Sequence, residues 1–237
     1  MTTLADPSYA GHRFPAEVSG HAVWLYFRFP LSLRHVDEIL AARDIVVGHE
    51  TVRQWGLKFG QAFANRIRRR PPRAGDKWHP DEVEAKIVGK KHWIWRAVDR
   101  DGVVLDILVQ SRRDKAAAKR LLRTLLKGQC RAPRVMMTDK LASYAAAKRE
   151  VMPGVEHRRH KGLNNRAEDS HQPTRRRERQ MKRFKSARHA QRFLSAHDGI
   201  NNLFRFSCHR ISAHQYRAAR VQASRAWAEV TGVARVA

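Results

Sequence analysis

Cysteine is scarce: Cys130 and Cys208 are the only two in 237 residues. Two thiols without C-x-x-C spacing make neither a disulfide framework nor a zinc site, so a reducing compartment and buried or idle thiols are expected. No apolar run approaches the roughly 18 residues that a membrane span needs. The opening stretch, MTTLADPSYAGHRF, lacks a basic segment followed by an apolar one, and no secretory signal is expected there. Acids are scarce as well. Against 48 Lys+Arg stand only 22 Asp+Glu, a net charge of +26 before any of the thirteen His is counted. Apolar residues are not scarce: at 42% they support a real core and exclude a disordered basic tail. Self-repulsion of this size calls for a polyanionic partner. Nucleic acid fits, because each phosphate neutralised releases a counterion; an anionic membrane surface or a ribosomal setting has the same composition. The arrangement along the chain has to decide.

Residues 1–14 show no periodicity and read as a loose leader. In PAEVSGHAVWLYFRF, Val18, Ala22, Leu25 and Phe29 recur at helical spacing behind Pro15. Pro30 stops this helix. Ser32 caps a second one, with Val36, Ile39 and Leu40 inward, and after DIVVG a third runs from about His49 to Arg70, striped by Val52, Trp55, Phe59 and Phe63. Residues 15–70 therefore form a helix-turn-helix pattern whose last helix would offer Thr51, Arg53 and Gln54 to a DNA groove. Arg66, Arg68, Arg69 and Arg70 lead into Pro71 and Pro72. Such a run is otherwise a solvated linker; beside this motif it suits a phosphate-contacting arm. Residues 71–77 are the boundary.

Beyond it the texture turns strand-rich. WHPDEVEAKIVG alternates, Gly89-Lys90 is a turn signal, KHWIWRAVD and VVLDILVQS follow as strands, and Asp101-Gly102 joins them. RDKAAAKRLLRTLLKG is an amphipathic helix with Asp114 near its start. RVMMTD, SYAAAKREV and VEHRRH then give strand, helix, strand, and from Asn164 to about Phe206 the chain is helical. The order β-β-β-α-β-α-β-α is that of an α/β ribonuclease-H-like domain over 78–206: a mixed five-strand sheet flanked by helices. Residues 207–237 remain as a C-terminal helical tail.

A basic chain has few acids to spare. Asp81 lies in the first strand, Asp139 ends the fourth, and Glu168 sits in the first turn of the following helix. In this topology the first and fourth strands are central neighbours, so the three carboxylates can converge. Left bare they would repel and one would stay protonated. Divalent cations remove that conflict, and an oxygen-only donor set favours Mg²⁺ or Mn²⁺, as two ions clamping the attacking and leaving oxygens of a phosphoryl transfer. Each acid also has an ordinary reading: a strand start for Asp81, a helix cap for Asp139, a capping-box partner for Glu168. Asp169 is the nearest rival to Glu168. Pro173 should kink the helix after Glu168.

At these residues the sequence resembles the DDE transposases of bacterial insertion sequences, the insertion-sequence-six group. The resemblance runs from about residue 20 to 206 and rests on LSLRHVDEILAARDIVVGHETVRQW, WHPDEVEAKIVGKKHWIWRAVDRDG, SRRDKAAAKRLL, MTDKLASY and VEHRRHKGLNNRAEDSHQ. It implies a ribonuclease-H-like catalytic domain, a site-specific grip on terminal inverted repeats, and Mg²⁺-dependent strand cleavage and strand transfer. The catalytic, metal-holding positions would be Asp81, Asp139 and Glu168. A basic residue seven positions after the Glu corresponds to Arg175. His171 shares the face of Glu168 and would orient it or contact DNA, and Lys182 and Arg183 extend the phosphate-binding stretch. Double-stranded DNA, as element ends and as target, is the implied partner. A homo-oligomer of at least two copies and a cytoplasmic, nucleoid-associated bacterial setting are also implied, with no membrane association. Three alternatives stay open: a helix-turn-helix regulator without catalysis, a ribonuclease or resolvase on the same fold, and an inactive remnant of a transposase.

Overall fold

The computed structural model describes residues 9, 12–69, 75–160, 162, 164–206 and 211–233, without the side chains of residues 165, 166 and 168. Two compact units make up the chain: residues 1–71 together with 196–237, and residues 72–195.

The first unit is helical. Helices α1 (Ala16–Arg28), α2 (Leu33–Ala41) and α3 (His49–Arg68) follow the apolar periodicity closely. Ser32 caps α2 by accepting from the His35 amide at 3.0 Å. Val36 and Leu40 meet Val52, Trp55, Phe59 and Phe63 in a fully buried core. Gly60 of α3 is a close-approach point: a Cβ there would lie 2.5 Å from Phe27 of α1. Residues 207–237 are expected from the sequence to be a C-terminal helical tail. In the structure α8 (Ala213–Thr231) belongs to this unit. Its Trp227 packs edge-on against Phe63 at 5.4 Å, and Arg66 donates to the Val230 carbonyl at 2.8 Å.

The second unit holds a five-stranded sheet in the order β3-β2-β1-β4-β5. Strands β1 (Lys77–Ile87), β2 (Lys90–Asp99) and β3 (Val104–Gln110) form the antiparallel meander; β4 (Val135–Thr138) and β5 (Glu156–Arg159) run parallel to β1. The first hairpin turns on Val88-Gly89, one residue earlier than the expected Gly89-Lys90, because Lys90 already pairs with Ile87. One sheet face carries Trp78 and Trp95 into a core with α4 (Lys115–Gln129) and α5 (Ala142–Val151), including Leu121, Leu122 and Tyr144. Asp114 is the N-cap of α4, accepting from the Ala117 amide at 2.9 Å. Cys130, at the end of α4, is exposed rather than buried. The opposite face is met by α6 (Asn165–Gln180), and α7 (Ala187–Leu203) follows. The single helix expected from residue 164 to 206 is thus two. It breaks after Met181, where Lys182 and Arg183 take left-handed φ values of 51° and 72°. Their amides return to Arg179 and Glu178, which closes the end of α6.

Candidate active site

The parallel pairing of β1 and β4 sets Lys77 opposite Val135 and Trp78 opposite Met136. Continued along both strands, the same offset brings Asp81 level with Asp139, on adjacent central strands. Asp81 is nearly buried, its side chain 13% exposed. Asp139 stands just past the end of β4, 31% exposed, and its Oδ1 accepts from the Leu141 amide at 2.9 Å. The N-cap of α5 is Leu141, so Asp139 is not that helix's cap.

Helix α6 begins over Asp81. Asn164, its N-cap, makes no capping bond with its side chain. The amide instead donates to Asp81 Oδ1 at 3.3 Å and to the Pro80 carbonyl at 3.2 Å. Two turns later His171 places Nε2 3.3 Å from Asp81 Oδ2, with only 4% of its side chain exposed. Position 168 lies four residues after Asn164 and three before His171, on the same stripe of the helix. The side chain of Glu168 itself lies outside the described residues. Asp169 is exposed and faces Gln172 at 3.4 Å.

What holds α6 at this angle is a buried arginine. Arg96 is 1% exposed and sits directly across from Asp81 in the β1–β2 register. Its guanidinium donates to the Ser170 carbonyl and to Thr174 Oγ1. These two acceptors flank Pro173. The helix runs through that proline to Gln180 instead of ending, although the ring removes the bond to the carbonyl four residues back.

Glu82, next to Asp81, points to the other sheet face. Its Oε1 accepts from Arg113 at 2.5 Å, and the same Arg113 Nη2 lies 3.9 Å from Asp139 Oδ2. Burial pushes the Glu82 carboxyl above its usual range despite the Arg113 bond. Arg113 also stacks on Trp93, with Cζ 4.9 Å from the ring centre. Among the described side chains no three His, Cys, Asp or Glu gather as a metal site. The donors present nonetheless suit a hard cation: two carboxylates at one level, and Asn164 Oδ1, which is buried without a hydrogen-bond partner.

A DDE-domain family model matches residues 75–207, the unit that carries these carboxylates. The transposase of insertion sequence element IS257 in transposon Tn4003 of Staphylococcus aureus is 32% identical over 164 residues, covering 67% of this chain and 73% of the relative. The chain belongs to the DDE transposases of the insertion-sequence-six family. The transposase of insertion sequence-like element IS431mec from Staphylococcus aureus strain Mu50 is similar to the same extent, 32% over 164 residues. Among solved structures, the catalytic domain of Mos1 mariner transposase aligns with a TM-score of 0.41 at 15% identity, over 74% of this chain and 92% of that domain.

As a DDE transposase, the chain is a polynucleotidyl transferase, and its five-stranded sheet has the mixed β3-β2-β1-β4-β5 order expected from the sequence. Its expected DNA-contacting residues are distributed unevenly. Arg53 and Gln54 are exposed on α3, where Glu50 holds both: Arg53 through two bonds of 2.7 and 2.6 Å, Gln54 at 3.4 Å. Thr51 is half-buried, and Arg68 and Arg69 are exposed. Arg66 is turned inward to the Val230 carbonyl, and Arg70 lies outside the described residues. Arg175, Lys182 and Arg183 are exposed, whereas His171 faces Asp81. Sequence reasoning missed Arg96, Asn164 and Arg113. A charged residue in the middle of the apolar strand KHWIWRAVD was the signal for the first. Nothing in the spacing of the other two marked them.

Proposed function

We propose that this transposase binds the terminal inverted repeats of an insertion sequence and catalyses Mg²⁺-dependent strand cleavage and strand transfer through Asp81, Asp139 and Glu168. The observation that carries this reading is the level placement of Asp81 and Asp139 under a helix whose positions 164, 168 and 171 share one stripe above Asp81. Two Mg²⁺ or Mn²⁺ ions held there would supply charge for the attacking and leaving oxygens of an in-line displacement. The chain's own residues do the positioning. Asn164 donates to one oxygen of Asp81 while His171 stands 3.3 Å from the other, the Leu141 amide fixes one of Asp139, and Arg96 holds the helix that carries Glu168. Arg175, Lys182 and Arg183 would neutralise phosphates beside the site. In the first unit, α3 would read the repeats, with Arg53 exchanging Glu50 for a base edge. Paired ends call for a homo-oligomer of at least two copies, working on DNA in the bacterial cytoplasm. No helix among the described residues is long and apolar enough to cross a membrane.

The test is a cleavage assay on duplex DNA carrying both flanking ends of the encoding element, with and without Mg²⁺. Nicking at the element ends only when Mg²⁺ is present supports the proposal. Binding of the ends without metal-dependent cleavage would favour the regulator or the inactive remnant.

A further inference from the structure

The tip of the β1–β2 hairpin gives up stability in two independent ways. Val88 adopts φ 48° and is the only β-branched residue among the described non-glycine residues at positive φ. That conformation is a genuine outlier for valine, where Asn, Asp or Gly would sit without strain. Next to it, Lys86 stands directly opposite Lys91 in the register, a like-charge pair that destabilises a sheet. Lys91 is compensated by Glu84 at 2.6 Å. Lys86 and Lys90 are exposed and have no ion pair among the described residues. Val88 is 72% exposed, and nothing lies within 4 Å of a Cβ built on Gly89. Unfavourable local choices that persist on a surface mark a site of function more often than a site of structure.

The position of the tip says which function. β1 runs parallel to β4 and continues six residues past Asp81, about 20 Å at roughly 3.3 Å per residue. Pairing with β3 ends at Trp93–Gln110, and β4 ends at Thr138. Residues 85–92 therefore continue as a two-stranded extension beyond the sheet end where Asp81 and Asp139 lie, with Ala85 and Ile87 buried on one face and Lys86, Val88, Lys90 and Lys91 exposed. The exposed tip, Val88 to Lys91, is narrow enough to meet a DNA major groove.

We infer that the β1–β2 hairpin tip is a DNA-contacting finger that enters a groove of the duplex flanking the scissile bond. Lys86 and Lys90 grip phosphates on either side, and Val88 makes the apolar contact inside the groove. This rests on the proposed function, since a duplex must lie across the carboxylate end of the sheet. An acidic protein partner would meet the same lysines but offers no groove for the exposed Val88.

The test uses the full chain with Asp139→Asn, which halts cleavage, titrated onto a duplex of about 40 bp over a range of salt concentrations. Val88→Asn should raise the melting temperature by about 2–4 °C, because asparagine tolerates the left-handed turn. The same change should weaken duplex binding about five-fold, the loss of one apolar contact. Lys86→Gln with Lys90→Gln should lower the slope of log K against log salt by nearly two, and Lys127→Gln on the far-removed α4 should leave the slope to within its own single charge. If the parent binds the duplex and the tip variants bind it equally well with an unchanged slope, the finger is refuted while the transposase reading stands. A parent that binds no duplex at low salt refutes the functional reading itself. A Val88→Asn variant less stable than its parent would contradict the strain on which the inference is built.

Discussion

Replacing Arg96 by methionine keeps the length and apolar stem of the side chain and removes the guanidinium. The wild-type group is 1% exposed and donates two hydrogen bonds to α6, at the Ser170 carbonyl and Thr174 Oγ1. Hydrogen bonds from a charged donor are worth about 1.5–3 kcal/mol each. Relief from burying an ion offsets part of that sum. Asp81, directly across the strand pair, also loses its nearest cross-strand cation. The net cost should be about 2–4 kcal/mol, a large share of the roughly 5–15 kcal/mol that holds a domain together. Urea unfolding should show a lower midpoint with an unchanged slope. Arg96→Lys keeps the charge but lacks the fork that reaches both acceptors, and should fall between the two. Cleavage by the folded fraction of Arg96→Met should also drop, because the helix bearing Glu168 is no longer fixed against β2. If Arg96→Met unfolds at the wild-type urea concentration and cleaves at the wild-type rate, the guanidinium does not position α6.

Three further outcomes follow from other parts of the molecule. Gly60→Ala should destabilise the first unit by about 1–2 kcal/mol in thermal unfolding: the added methyl meets the buried Phe27 ring, and that outweighs the roughly 1 kcal/mol gained in helix propensity. His157 is held down at about 4 by burial and by the nearby Arg159 and Lys148, while its ordinary value is 6.5. The folded state then binds fewer protons, so this group's contribution is complete above about pH 6.5 and is lost as pH falls towards 4; His157→Gln should flatten the pH dependence of the urea midpoint across that window. In DNA titrations, Arg53→Ala or Gln54→Ala should relax sequence preference by about 1–3 kcal/mol, whereas Lys182→Gln with Arg183→Gln should weaken all sequences alike and reduce the salt slope.

Much of the architecture was legible because it rests on periodicity and punctuation. The apolar stripes of α1 to α4, the alternation of β1 and the turn at Asp101-Gly102 are local signals, and the element order then implied that β1 and β4 are neighbours. Misread elements had causes that act at a distance. The break after Met181 relies on two basic residues in left-handed conformation, which no propensity favours. The inclusion of α8 in the helical unit depends on Trp227 finding Phe63 and on Val230 accepting from Arg66, contacts between residues far apart in sequence. Asp81 and Asp139 stood out because acids are rare in so basic a chain. Arg96 and Asn164 did not, since a single arginine or asparagine has many ordinary uses. Only the sheet register and the helix above it reveal that both serve Asp81 and its neighbours.

The most direct measurement of the central claim is a Mn²⁺ titration of the chain bound to a pre-cleaved element end, followed calorimetrically. The expected result is saturable binding of about two ions per active site, abolished or strongly weakened by Asp81→Asn, Asp139→Asn and Glu168→Gln and preserved in Asp169→Asn. Loss of binding in Asp169→Asn with retention in Glu168→Gln would contradict the assignment of the third carboxylate, and undiminished binding in all four variants would contradict the metal site altogether.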